Sequence, residues 1–212
     1  MSNSTEIPAR SRFAWVPIRS LSERHRPRIL RHLLALGERD RYLRFGYAAS
    51  DEQVERYVDG LDFERDEVFG IFNRRLDVVA MAHLAHAQTA DEDPAASSRI
   101  AEFGVSVAAA SRGRGFGARL FDHAVLHARN RGVDTLTIYA LSENTTMLRI
   151  ARNAGATVSF EGSDALAHLK LPPEDLASRV EAMVGDQAAE FDYSLKVQAR
   201  RLDAWLNLFT AR

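Results

Sequence analysis

Between residues 102 and 125 the chain reads EFGVSVAAASRGRGFGARLFDHAV, and the residue types at its centre can do chemistry. Gly113, Gly115 and Gly117 alternate with Arg114 and Phe116, and Arg112 stands just ahead of them. Glycine lacks a Cβ atom, so successive backbone amides at these positions can approach a ligand closely. A helix that starts on such a loop presents unpaired N–H donors and the positive end of its dipole. Phosphate is the anion that suits both features. A loop that needed glycine only for turning would leave the neighbouring arginines unexplained. Upstream, Phe103, Val105 and Val107 alternate with Glu102, Gly104 and Ser106. One face of this strand is therefore apolar, while Glu102 and Ser106 share the other.

Other chemistries fit the residues poorly. GRGFGA satisfies the GxGxxA form of the dinucleotide fingerprint, but five residues separate Val107 from Gly113 where that motif follows its strand directly. The acid expected after the next strand is also misplaced, since Asp134 precedes TLTIYAL and Glu143 comes late. His123 and His127 are four apart on a helical pattern, yet HAVLH lacks the glutamate of HExxH, so solvated histidines on a helix flank are expected and no metal. His83 and His86 are three apart on a strand and must point to opposite faces. Ser106 lies within a strand in GVSVA, which misses the last glycine of a nucleophile elbow.

The elements that must position these residues follow from pattern. FAWVPIRSL (13–21) reads as a strand, and the leucines at 30, 33, 34 and 36 as a helix ended or kinked by Gly37. Ser50 and Gln53 are spaced as a capping box ahead of Val54, Tyr57, Val58 and Leu61. EVFGIFNRRLDVVAMAHLAH predicts a hairpin, and the polar run 87–98 a long loop. After the glycines come a helix closed by Gly132, the strand 135–141, a helix stopped at Gly155, and a hairpin around Gly162. The predicted order is strand, two helices, three strands, helix, strand, helix, two strands: an α/β chain with a mixed sheet and helices on its faces. Residues 1–12 read as a flexible N-terminus. The segment 172–212 carries no strand signal, and Leu195, Leu202, Trp205 and Phe209 form a helical stripe for packing on the domain or for a homodimer contact.

Composition bounds the partners. The chain has 212 residues, no cysteine and a net charge of −1, which excludes thiolate chemistry and disulfides and argues against a nucleic-acid footprint. Its N-terminus lacks an apolar signal core and no run is long enough to cross a bilayer, so a cytoplasmic protein without a membrane partner is expected. Arginines crowd residues 10 to 44, a pattern that suits a solvated face or an acidic partner.

Arg112, Gly115 and Gly117 match R/QxxGxG/A, and the run from Ala101 to Gly155 resembles the acyl-CoA binding core of the GNAT superfamily of N-acetyltransferases. Four features agree in order: AEFGVSV, RGRGFG, the helix ending in ARNRGV, and TIYALSENTTMLRIARNAGA with Asn144. RYLRF and the hairpin VFGIFNRRLDVVAMAHL are similar to the family's usual opening, so the resemblance covers residues 13–171. It implies acetyl-CoA as acyl donor. Val105 and Val107 would contact the pantetheine arm through their backbone. Arg112, Gly113, Arg114, Gly115, Phe116 and Gly117 would wrap the pyrophosphate, and Asn144 would reach the arm or a bridging water.

The resemblance also implies a base for an attacking amine, and Glu102, on the polar face of that strand, is the candidate; otherwise it is a strand-end carboxylate paired with an arginine. A glutamate here resembles that of GNAT domains acting on protein lysines, though the acceptor stays open between a small molecule and a protein. Where many members carry a tyrosine after Asn144, this chain has Ala151, and the ring of the nearby Tyr139 is expected to pack. Two classes of function follow: an N-acetyltransferase, or a silent CoA-binding regulatory module. The acceptor is expected to be set by the first helices, the loop 87–98 and the last hairpin.

Overall fold

The structure, a computed structural model, describes residues 16–86 and 99–172 together with Ala189, Asp192, Tyr193 and Lys196. Its elements are β1 (Arg19–Leu21), α1 (Arg26–Leu34), α2 (Glu38–Phe45), α3 (Asp51–Asp59), β2 (Glu67–Phe72), β3 (Val78–His86), β4 (Ile100–Val107), α4 (Phe116–Asn130), β5 (Thr135–Leu141), α5 (Thr145–Asn153), β6 (Thr157–Glu161) and β7 (Asp164–Lys170). The strands form one sheet in the order β1-β2-β3-β4-β5-β7-β6, in which β4 and β5 are the parallel pair. This is the mixed α/β architecture that the sequence pattern predicts.

Three helices precede the first hairpin where two are expected. Gly37 does not kink one long helix but caps a second, α2, whose first turn carries Glu38 and Asp40 against the helix dipole. No residue of α2 is fully buried, so it has no apolar stripe to announce it. The capping box of α3 forms as spaced, with the Gln53 amide donating to Ser50 Oγ and the Ser50 amide to Gln53 Oε1. Of the first predicted strand, Arg19–Leu21 pairs with β2, and Val16 and Ile18 pack against the core.

Each sheet face carries its own core. Phe69, Leu84, Phe103, Leu136 and Ile138 face α4 and α5, with Phe103 and Phe121 meeting edge to face at 5.0 Å. On the opposite face Ile29, Leu33, Val54, Val58 and Met81 join α1 and α3 to the sheet. Each such side chain contributes about 1.5–3 kcal/mol by leaving water, so both layers hold β3 and β4 rigidly between them. Beyond Pro172 the described residues are helical, and Tyr193 lies under the Arg19 guanidinium, 3.6 Å away, and against Phe72 at 5.1 Å. This part of the tail packs on its own domain; the four apolar residues of the predicted stripe, the segment 1–12 and the loop 87–98 lie outside the described residues.

The feature that positions the site is a fork. β4 and β5 pair only from Ile100 to Glu102, against Thr135 to Thr137. Past Glu102, β4 continues on β3 as far as Val107, whereas β5 continues on β7 as far as Leu141. The parallel pair therefore opens into a notch whose apex is Glu102.

Candidate active site

The notch has a polar edge dictated by strand geometry. The Ala108 amide donates to Val79 O across β3 and β4. In an antiparallel ladder the bonding residues alternate, so Glu102, Gly104 and Ser106 also bond to β3, and the backbone groups of Phe103, Val105 and Val107 face the notch. An extended ligand could add there as a strand, as the expectation for Val105 and Val107 requires.

The glycine loop closes the far end of the notch. Gly113 and Gly115 have φ of +73° and +74°, which L side chains adopt rarely, and Gly115 caps α4. Among the described residues nothing accepts from the amides of Gly113 through Ala118, and an added Cβ at Gly113 or Gly115 would meet no atom within 4 Å. A row of unused donors thus faces open space at a helix N-terminus. Here a cleft of about 600 Å³ is lined by Val105, Val107, Arg112, Gly113, Gly115, Phe116, Gly117 and Asn144, with Ile150 and Met147 from α5. Arg112 pairs with Asp40 of α2, and Arg114 lies over the Phe116 ring at 4.7 Å. Asn144 caps α5, its Oδ1 accepting from the Met147 amide at 3.2 Å, so its first task is structural.

Ala151 is fully buried in the core and lines neither cavity, so the chain offers no acid at that position. One placement corrects the sequence reading. Tyr139 does not pack its ring: it is 66% exposed and lines a second cavity. That cavity, of about 630 Å³, adjoins the first and holds Glu102, Tyr57, Tyr47, Tyr139 and Leu166, while Arg44 and Val105 border both. Glu102 is exposed and makes no ion pair among the described residues, unlike the arginine-paired strand-end alternative.

Several polar groups around the notch escaped the sequence reading. His32 of α1 is buried under β4: its Nδ1–H donates to Val78 O at 3.1 Å and its Nε2 accepts from the Ser106 hydroxyl at 2.9 Å. Burial pushes its pKa down to about 4, so it is a neutral strut beneath the donor cleft. On the other cavity, Arg44 Nη2 donates to the Tyr57 hydroxyl (2.7 Å), which donates to His83 Nδ1 (2.9 Å), whose Nε2–H donates to Asp66 (3.1 Å). RYLRF contained Arg44, but nothing in its spacing tells which side chains complete the chain. His123 and His127 are not solvated. Their rings lie tilted against each other at 4.4 Å beside Phe69, and His127 donates to Glu67. Although burial works against its charge, the hydrogen bonds from His127 and His86 hold the Glu67 pKa at about 2. Among the described residues there is no group of three or more side chains able to hold a metal, and no helix long and apolar enough to cross a membrane.

A family model described as an acetyltransferase (GNAT) domain matches residues 16–157. The chain belongs to the GNAT acetyltransferase family. No curated protein matches it significantly. Among solved structures, this GNAT domain is similar to that of S. lividans PAT, at TM-score 0.60 and 23% identity over 73% of this chain and 89% of that one. A ribosomal-protein-alanine N-acetyltransferase from Brucella melitensis gives TM-score 0.52 and 18% identity over 73% and 99%. A cAMP-binding acyltransferase from Mycobacterium smegmatis gives 0.51 and 20%, over 86% of this chain and 51% of that one. Identities this low establish a shared GNAT fold.

Proposed function

We propose that the protein transfers an acetyl group from acetyl-CoA to a primary amine by direct attack in a ternary complex. The observation that carries this reading is the fork: a carboxylate at its apex, notch-facing amides along one arm, and a row of unused amides at the far end. In this reading the pyrophosphate lies on the amides of Gly113 through Ala118. The pantetheine arm runs along Val105 and Val107 with Asn144 opposite, and the thioester reaches the junction of the two cavities.

A lysine-type amine has a pKa near 10.4, so keeping it neutral near pH 7.4 costs about 4 kcal/mol. Glu102 takes that proton, directly or through a water; a positioned base is worth about 10²- to 10⁴-fold, comparable to the deficit. The amine nitrogen bonds to the carbonyl carbon, and charge on the oxygen meets a notch-facing amide near Val105, worth about 3–4 kcal/mol. The C–S bond then breaks, and coenzyme A departs as a thiolate with a pKa about two units below that of the amine. No acid on α5 is needed for that step, so Ala151 gives no support to a silent module.

The test follows coenzyme A release from acetyl-CoA over a panel of amines, for the parent and for Glu102→Gln. Turnover should fall about 10²- to 10⁴-fold in the variant with acetyl-CoA affinity retained. An unchanged pH–rate profile would remove Glu102 as the base.

A further inference from the structure

Arg44 is presented to the Glu102 cavity in an unusual manner. It borders that cavity and makes no ion pair with a carboxylate among the described residues. It is fixed instead by a neutral phenol, Tyr57, which is oriented in turn by His83 and Asp66. The carboxylate that anchors this chain is already committed: Asp66 is 5% exposed and accepts from Arg65, His83 and the His86 amide. Three side chains thus orient a guanidinium without cancelling its charge, and its buried Nε has no partner. β4 is shaped to admit it. A Cβ on Gly104 would lie 2.8 Å from Arg44 Cζ, so the glycine at mid-strand makes room for the guanidinium over the same face that carries Glu102.

We propose that Arg44 receives a carboxylate carried by the acceptor, so that the amine acetylated here belongs to an amino acid or similar zwitterion; this deepens the acetyltransferase reading and rests on it. Glu102 and Gly104 are two residues apart on one strand face, about 7 Å along the strand. A molecule with an ammonium group and a carboxylate a few bonds apart spans the interval between Glu102 and the guanidinium. The planar fork of arginine matches a carboxylate in two parallel hydrogen bonds. Glu161 and Asp164 of the last hairpin also line this cavity, where their charge suits the cationic end of the guest. The carboxylate could instead ride on the acyl donor. Tyr57 favours the acceptor, because it lines the Glu102 cavity and not the cleft of the glycine loop.

The experiment compares kcat/KM for a set of free amino acids and for their methyl esters, with acetyl-CoA as donor, in the parent, Arg44→Met and Gly104→Ala. The parent should prefer the free acid by about 10- to 100-fold, as expected for a charge-assisted pair, and both variants should bring the ratio towards one. Gly104→Ala reaches the same end by displacing the guanidinium, so it covers a failure of Arg44→Met to fold. Calorimetry of N-acetyl amino acids and their esters on the CoA-loaded protein reads the same preference without turnover. Equal use of amines lacking a carboxylate, peptide lysines included, or an unchanged ratio in both variants, overturns the proposal. So does a preference for succinyl-CoA over acetyl-CoA that vanishes in Arg44→Met, since it puts the carboxylate on the donor. Each of these outcomes leaves acetyl-CoA binding intact; loss of that binding in the parent would sink the acetyltransferase reading, and this inference with it.

Discussion

The two cavities of the notch are built in different ways. The cleft at the glycine loop is made of backbone: amides of β4 that its ladder leaves over, and amides of a loop whose glycines take left-handed φ. The cavity at Glu102 is made of side chains that α2, α3, β4, β5, α5 and the last hairpin bring together from distant parts of the chain. Backbone donors are indifferent to most substitutions, so a cofactor site can persist while its neighbour changes. Side-chain walls change with single residues, and in the proposed reading they set the acceptor.

Replacing one backbone donor should break this contrast most sharply. Val105→Pro deletes an amide that faces the notch and takes no part in the ladder to β3, the kind of edge position where proline is tolerated. Turnover should fall about 10²- to 10³-fold with the circular dichroism of the folded domain retained. Full activity in that variant would mean that no oxyanion contact is made there.

Stability should depend on pH through the buried struts. His32 has a native pKa of about 4 against 6.5 unfolded, and His25 is likewise pushed to about 4, by burial first and then by the charges of Arg19, Arg24 and Arg28. Between these values the unfolded chain binds protons that the native state refuses, so stability is full above pH 6.5 and falls as the pH drops towards 4. At about 1.4 kcal/mol per pKa unit, His32 alone loses about 3 kcal/mol. Urea unfolding at pH 7 and pH 4.5 measures it, and equal midpoints would contradict the neutral strut.

Smaller effects sharpen the difference between the sides. Asp66→Asn loosens the chain that orients Arg44, and should raise the KM of the amine about tenfold while acetyl-CoA affinity holds. A matching loss of acetyl-CoA affinity would show the two cavities to be one unit. Arg112→Ala frees Asp40 and removes a half-exposed charge beside the amides; it should weaken acetyl-CoA about two- to fivefold, since a solvent-accessible ion pair to phosphate is worth only about 0.2–1 kcal/mol. A larger loss in a titration of that variant would mean that the arginine, not the amides, carries the phosphates.

Legibility followed the same division. The alternation in EFGVSV, the glycines ahead of α4 and the capping box at Ser50 are local signals, and each local element forms where its pattern places it. The fold family was within reach because four such signals stand in order. α2 was not legible as a separate helix, because its half-buried residues repeat with no apolar period. Nor was the network from Arg44 to Asp66: Tyr57 reads as a core residue of α3, His83 as one half of an unpaired strand couple, and only the sheet register brings them together. Tyr139 was misplaced for a related reason, as the residues that share its cavity come from distant parts of the chain.

The central claim is that the bare amides from Gly113 to Ala118 seat the diphosphate of coenzyme A. Calorimetric titration of acetyl-CoA into the parent and into Gly115→Glu tests it most directly, because the variant sets a carboxylate among those donors at a left-handed position. The account predicts saturable binding by the parent and at least a hundredfold loss in the variant, about 2.7 kcal/mol or more. Equal affinity in the two proteins, or no binding by the parent, would contradict it.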